Sequence, residues 1–308
     1  MTQRTPGSFA ALSNRFRQGR DTVQQFGMIV PGLALVTVFT IAPFLYSVFL
    51  SLTNERLIPR PVPSRFVGLD NYVRLLGDPL FWQALGNVAW FTLLVLPLQC
   101  GFALLIALAL NEKLPFRGLF RSIFFLPSIT SMVIVCVIWA TIYQYPSGVL
   151  NTLLSFLSFG LAGPVDWLGD RHIAMPALVL LSAWSAFGFQ MIIYMAGLQN
   201  IPAELYDAAR VDGAGPWRRF WDVTMPGLRE THVFVLIVTT IQAFKLFTQV
   251  DLLTGGGPGG STETIVHYMV STGFTQQRVG YGSAVSIVLF LIIMLISLLQ
   301  RLATRQKT

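Results

Sequence analysis

Charge is what this chain of 308 residues holds least of. Only 11% of its residues are Asp, Glu, Lys or Arg, while 54% are hydrophobic and the mean hydropathy is +0.63. A typical soluble domain carries about 25% charged residues, so the surplus apolar surface here faces lipid rather than a water-shielded core. Cysteine is nearly absent too. Cys100 and Cys136 sit inside apolar runs without Cys-x-x-Cys spacing, which excludes a disulfide scaffold and a thiolate metal site and makes them packing residues. The three histidines, His172, His232 and His267, are scattered without a His-x-x-x-His pair and read as interfacial or packed side chains, not metal ligands. No Gly-x-x-x-x-Gly-Lys-Ser/Thr occurs. The glycine run at 255–260 contains Pro258 and is followed by no lysine, so it cannot cradle phosphates and reads as a flexible outer loop. No Gly-x-Ser-x-Gly offers an acyl-transfer nucleophile. A membrane enzyme therefore lacks its acid, base, nucleophile and metal, and the expectation is no catalytic residue, no metal and no cofactor in this chain.

What is present is a series of long apolar runs. A helix needs about 20 apolar residues to cross about 30 Å of hydrocarbon. Six stretches meet or approach that length: Gly27–Leu52, Leu85–Leu110, Ile123–Gln144, Ile173–Leu198, Thr231–Leu253 and Tyr281–Gln300. Five of them hold no charged residue, and the fifth in order is interrupted by Lys245 and Asp251. The expected fold is all-α, a polytopic membrane protein of six transmembrane helices. A net charge of +7 could point to nucleic acid, but the basic residues flank the apolar runs, as membrane orientation requires. Fourteen Lys and Arg fall in the N-terminal tail, the loops after spans two and four, and the C-terminal tail; seven fall on the opposite side, counting Lys245. The positive-inside rule then places both termini and the loop after span four in the cytoplasm. Residues 1–25 lack a small-residue cleavage pattern and read as a cytoplasmic tail, residues 26–303 as the membrane domain, and residues 304–308 as a second short tail. Between spans three and four, Val149, Leu150, Leu153, Leu154, Leu157 and Leu161 follow helical spacing, with Asn151, Thr152, Ser155 and Ser158 opposite. This short helix either lies on the outer membrane surface or packs over the bundle.

The loop at 200–226 is the most informative segment. It carries nine charges of mixed sign out to Glu230, yet has two helical patterns. Pro202 opens the first, where Leu205, Ala208 and Ala209 share a face, and Gly213 can end it in a left-handed conformation. Pro216 opens the second, with Trp217, Phe220 and Trp221 on an apolar face, and Pro226 is expected to end it. The plain alternative is an amphipathic loop resting on headgroups; the sharper reading is a docking lever for a cytoplasmic protein.

These residues also carry a resemblance. Asp207-Ala208-Ala209, then Gly213, then nine residues, then Val223-Thr224-Met225-Pro226, resembles the EAA loop of ATP-binding-cassette importer permeases, whose pattern is Glu-Ala-Ala, three residues, Gly, nine residues, Ile-x-Leu-Pro. Asp207, Val223 and Met225 depart conservatively, and the shorter Asp207 carboxylate reaches less far towards a basic partner. Val211-Asp212-Gly213-Ala214, Phe66-Val67-Gly68-Leu69-Asp70-Asn71-Tyr72, Phe116-Arg117-Gly118-Leu119-Phe120-Arg121, Phe125-Leu126-Pro127 and Leu253-Thr254-Gly255-Gly256-Gly257-Pro258 resemble landmarks of the carbohydrate-importing branch. The resemblance implies the type I importer permease fold. It implies a coupling surface at Glu204, Tyr206, Asp207, Ala208, Ala209, Arg210, Asp212, Gly213, Ala214, Phe220 and Pro226. It also implies a second permease subunit, two separate ATPase subunits that bind ATP and Mg, an external solute-binding protein, and a place in the cell membrane. In that family the EAA helix sits in a cleft of the ATPase, and closure of the ATPase dimer rocks the membrane bundle.

Polar groups inside a span mark a candidate solute path, because they are costly unless they face protein or water. They are Trp184, Gln190 and Tyr194 in span four, and Gln242, Lys245, Gln249 and Asp251 in span five. Rings and amides suit a sugar. Lys245 lies fourteen residues past Thr231, about 21 Å at about 1.5 Å per residue, which leaves about 9 Å for the side chain to snorkel. The expectation is inward transport of a sugar or sugar-like solute. The alternatives are glycerol-phosphate or another polar solute, or a scaffold or receptor subunit.

Overall fold

The computed structural model describes residues 29–58, 64–112 and 115–304. The expected tail at 1–25, residues 305–308, and Arg60 and Lys113 of the charge tally lie outside the described residues. Helices dominate; among the described residues the β pairing is a single bridge between Thr53 and Phe66. In chain order the helices are α1 (Ile29–Ser51), α2 (Asp70–Leu76), α3 (Pro79–Asn111), α4 (Arg117–Ile129), α5 (Met132–Ile142), α6 (Val149–Leu157), α7 (Ala174–Gln199), α8 (Ala203–Val211), α9 (Pro216–Arg219), α10 (Arg229–Phe244), α11 (Thr248–Leu253), α12 (Ile265–Val270) and α13 (Val279–Thr304).

Where six continuous spans are expected, four helices (α1, α3, α7 and α13) are continuous, long and apolar enough to cross a membrane. The third expected span is two helices, α4 and α5, bent by 95°. Composition does not reveal the bend because both halves are apolar. Pro127 weakens the last turn of α4 by removing an amide donor, Thr130 and Ser131 take extended dihedrals, and the Thr130 hydroxyl donates to the freed Leu126 carbonyl at 3.0 Å. The fifth expected span is broken as well. α10 has 16 residues, roughly 24 Å, and stops at Lys245. Phe247 leaves the helical region, and the hydroxyl of Thr264 donates to the orphaned Leu246 carbonyl at 2.8 Å.

α7 is the axle. In its most apolar stretch 67% of residues are buried inside the protein, against 0% for α1, so α1 is the helix whose surface meets lipid or another chain. Small residues on α7 let its neighbours close in. A methyl on Gly188 would strike the Phe124 carbonyl of α4, so that glycine sets the α4–α7 spacing. α3 lies along α7, and both share the core of Ala103, Ala107, Met191 and Leu198.

The ends away from the 200–228 segment are held by polar clasps. The 66–72 stretch loops back onto the end of α1, with Asn71 Nδ2 donating to the carbonyls of Ser51 and Thr53, each at 2.8 Å, and the Tyr72 hydroxyl 2.7 Å from Ser51 Oγ. Asp78 caps α3 by accepting from the Leu80 amide at 3.0 Å and also accepts hydrogen bonds from the hydroxyls of Tyr268 and Tyr281, joining α3 to α12 and α13. The glycine run, expected to be a flexible loop, is tied down. Gln83 and Asn87 of α3 both donate to the Gly260 carbonyl, Asn87 also to that of Glu263, and the buried Thr262 hydroxyl bonds Thr254 and the Gly257 carbonyl. Left-handed backbone at Gly255, Gly256, Gly259 and Gly260 makes this compact turn possible. α6 turns Asn151 inward, where it bonds Val165 and Trp167. Its apolar residues Val149, Leu153, Phe156 and Leu157 point outward, the orientation of a helix lying on a membrane surface.

Burial raises the Asp78 carboxyl, but the hydrogen bonds from Tyr268, Tyr281 and the Leu80 and Phe81 amides outweigh it and hold the group below its ordinary value. A carboxyl depressed in the folded state contributes stability above its unfolded pKa of about 3.9, and that contribution is lost as pH falls through the lower folded value. In detergent, wild type is expected to exceed Asp78→Asn in stability at neutral pH by roughly 1–2 kcal/mol, given the partial burial. Thermal unfolding followed against pH should show that advantage vanishing as the carboxyl protonates.

Candidate functional site

Two features stand out: a helical hairpin that leaves the bundle between α7 and α10, and a polar cleft between α3, α7 and α10. In the hairpin, Pro202 holds extended backbone before α8, and the end of α8 is a full reversal. The Gly213 amide donates to the Arg210 carbonyl at 3.0 Å and the Ala214 amide to the Ala209 carbonyl at 2.8 Å, with Gly213 left-handed at φ +75°. Glu204, Asp207, Ala208, Arg210 and Asp212 are exposed, while Tyr206, Ala209 and Ala214 are half-buried. Asp207 and Arg210 pair at 3.1 Å on the open surface, a contact weak enough to exchange for another partner. Leu205 and Val211 are exposed apolar residues on the same helix.

The second helix is longer than its proline pattern suggests. Pro226 does not end it; the chain continues through a wide turn at Phe220–Thr224 and one more helical turn at Met225–Gly227. The wide turn lets the Met225 amide reach the Phe220 carbonyl, and the chain stays helical past the proline. Trp217, Phe220 and Trp221 form a ring cluster with centroids 5.2–6.0 Å apart. Phe220 packs inward against the bundle, whereas Trp217 is 73% exposed. The Tyr206 hydroxyl, 3.0 Å from Thr224 Oγ1, holds the two helices together.

The hairpin is rooted by close packing. A methyl on Gly197 at the end of α7 would strike the side chains of Thr231 and Leu228; one on Gly227 would strike Ile201. Leu228 is fully buried between them.

The cleft, about 260 Å³, is lined from the α10 side by Thr239, Gln242 and Lys245 and from α11 by Gln249. Of the candidate path residues it thus gathers Gln242, Lys245 and Gln249. Gln190 lies just behind it, its Nε2 at 3.2 Å from Thr239 Oγ1 and 3.3 Å from Gln242 Oε1. Trp184 sits instead against Trp139, ring centroids 5.6 Å apart, and Tyr194 is buried closer to the hairpin against His232. Asp251 turns away to His267, which is bonded on its other ring nitrogen to Glu263 at 2.7 Å. The structure adds Gln99 of α3 and Ser182 and Ser185 of α7 to the lining. A lone amide such as Gln99 in an apolar run is a signal that composition alone could have yielded. Cys100 and Cys136 are free and buried as packing residues, and no group of three possible ligands among the described residues could hold a metal.

A polar cleft inside a helical membrane bundle, joined by two of its walls to a protruding hairpin, is the arrangement of a solute permease. Residues 99–307 match the family model for the binding-protein-dependent transport system inner membrane component, and the chain belongs to this family. It is therefore a multi-pass inner membrane protein and a permease subunit, a type of subunit that is not itself an enzyme. It is 36% identical over 284 residues to the lactose transport system permease LacF of Rhizobium radiobacter, covering 91% of this chain and 93% of that one. It is 35% identical over 275 residues to the trehalose/maltose permease MalF of Thermococcus litoralis, covering 89% and 91%. The fold matches a bacterial alginate ABC transporter solved in complex with an alginate pentasaccharide-bound periplasmic protein, with a TM-score of 0.81 over 94% of this chain and 96% of that one at 23% identity.

Because Gly197 sits in contact with the hairpin root, Gly197→Ala is expected to cost about 1–3 kcal/mol by overpacking. Gly215→Ala, with open space around it, should be close to neutral. Thermal unfolding of the two purified variants checks the difference.

Proposed function

We propose that this chain moves a sugar or sugar-like solute inward as one permease half of an ATP-driven importer. Its partners would be a second permease, two ATPase subunits that hold ATP and Mg, and an external solute-binding protein. The observation that carries the reading is the hairpin: an ordered, exposed helix pair whose root is the shared end of two cleft walls. The relatives named for lactose and for trehalose/maltose support a carbohydrate solute. Residues 26–303 would form the permease domain, with both termini and the hairpin in the cytoplasm, following the basic-residue count.

On this reading α8 docks in the ATPase through Glu204, Asp207, Ala208, Arg210 and Asp212. The exposed Leu205 and Val211 supply apolar contact, and the exposed Asp207–Arg210 pair re-forms across the interface. Tyr206, Ala209, Gly213, Ala214, Phe220 and Pro226 hold the shape of the lever. Solute passes the cleft lined by Gln242, Lys245 and Gln249, with Gln190 supporting Gln242. Trp184, Tyr194 and Asp251 flank the same path at greater distance and would act in another conformation of the bundle.

Co-purification of a soluble ATPase with the chain, and uptake that requires ATP, test the reading; a complex without an ATPase overturns it. Gly213→Pro provides the finer check. Proline cannot adopt the left-handed backbone and removes the amide bonded to Arg210. The variant should insert normally and lose most ATP-dependent uptake, and wild-type uptake would refute the lever.

A further inference from the structure

Lys245 ends α10 and lines the cleft. It lies 16 residues past Arg229, roughly 24 Å along the helix from the hairpin and so within a hydrocarbon core of about 30 Å. Among the described residues it forms no ion pair. Asp251, six residues further on, lies 3.7 Å from His267 and forms no ion pair with Lys245. The other polar residues of the lining are neutral: Gln99, Ser182, Ser185, Thr239, Gln242 and Gln249. Gln99, which belongs to the lining, is 3% exposed, and its buried Nε2 has no partner. Lys245 is exposed and unpaired, so its ammonium is available to an incoming anion, while a buried amide without an acceptor carries a cost. A solute bearing an anion and hydroxyl oxygens answers both groups at once.

We propose that the cleft is built for an anionic, hydroxyl-rich solute. Lys245 meets its carboxylate, sulfonate or phosphate, and Gln99 donates to its neutral body. This rests on the reading of the chain as a solute permease and narrows its substrate class.

The chain has only three lysines, Lys113, Lys245 and Lys307, which makes acetylation footprinting direct. The assembled transporter in phosphatidylcholine nanodiscs, which add no net anionic headgroup, is treated with sulfo-N-hydroxysuccinimide acetate. The probes are galacturonate or glucose 6-phosphate against galactose or glucose, matched in ionic strength with sodium chloride. Mass spectrometry is expected to show Lys245 acetylation slowed at least fivefold by the anionic sugars and not by the neutral ones, with Lys307 indifferent to all four. In Gln99→Leu the protection by galacturonate should weaken severalfold. Equal protection by charged and neutral sugars overturns the proposal. So does a Lys245 that no reagent reaches, which would mean that a subunit of the assembly already supplies its counter-charge. Failure of the transport reading is a separate result, the absence of ATP-dependent uptake of any solute, and it leaves the footprint intact.

Discussion

Inside a bilayer no water is present to satisfy a polar group, so every backbone donor and acceptor must find its partner within the protein. That constraint shapes each departure from regular helix in this chain. At the bend between α4 and α5 the carbonyl of Leu126 is taken by the hydroxyl of Thr130. At the break after α10 the carbonyl of Leu246 is taken by the hydroxyl of Thr264, eighteen residues along the chain. Prolines at 43 and 226 follow wide turns in which the chain bonds five residues back, and the chain stays helical past each missing amide. Threonine recurs because its short hydroxyl reaches a neighbouring carbonyl without a long side chain to order.

The same constraint explains where the cleft lies. A break in a span frees backbone and admits polar side chains that a continuous lipid-facing helix could not carry, and the cleft sits where α10 stops. Its walls combine the last turns of α10 with the middle of α3 and α7. Serine and glutamine on α7 are tolerable there because they face the cavity or one another, as Gln190 does with Thr239 and Gln242. The clasp of Asp78 with Tyr268 and Tyr281, at the end of the bundle away from the hairpin, belongs to the same logic, since a carboxylate must be paired to be half-buried.

Much of this is written in the residues. Long uncharged runs identify α1, α3, α7 and α13, and the Pro, Gly and Ala spacing of the hairpin marks α8, its end at Gly213 and the start of α9. The bend at Thr130 is illegible because hydropathy is continuous across it and only backbone dihedrals distinguish the halves. Lys245 and Asp251 are visible as interruptions of the fifth run, but not the parting of their roles, one to the cleft and the other to His267. That separation depends on the chain turning at Phe247. The glycine run misleads for a related reason. Glycine signals backbone freedom, while the side chains that remove it, Gln83 and Asn87, lie more than 170 positions away. Gln99 is open to detection as an amide in an apolar helix; Ser182 and Ser185 of the same lining, small and common in membrane helices, are not.

The mechanical link between hairpin and cleft follows from connectivity and packing alone. α7 runs from the cleft at Ser182 to the hairpin root at Gln199, and α10 runs back from Arg229 to the cleft at Gln242, so one rigid hairpin holds both walls at a common base. Gly197 against Thr231 and Gly227 against Ile201 leave no room for slippage at that base. Interiors packed this closely transmit displacement instead of absorbing it. On the proposed function, a rotation imposed on the hairpin would move α7 and α10 together against α3, and the wall carrying Gln99 would shift relative to the walls carrying Ser182 and Lys245. At the α4–α5 bend and at the break near Phe247 the freed carbonyls of Leu126 and Leu246 are already bonded by threonine hydroxyls. On the proposed reading the cleft would open and close by relative motion of whole helices, without unwinding them.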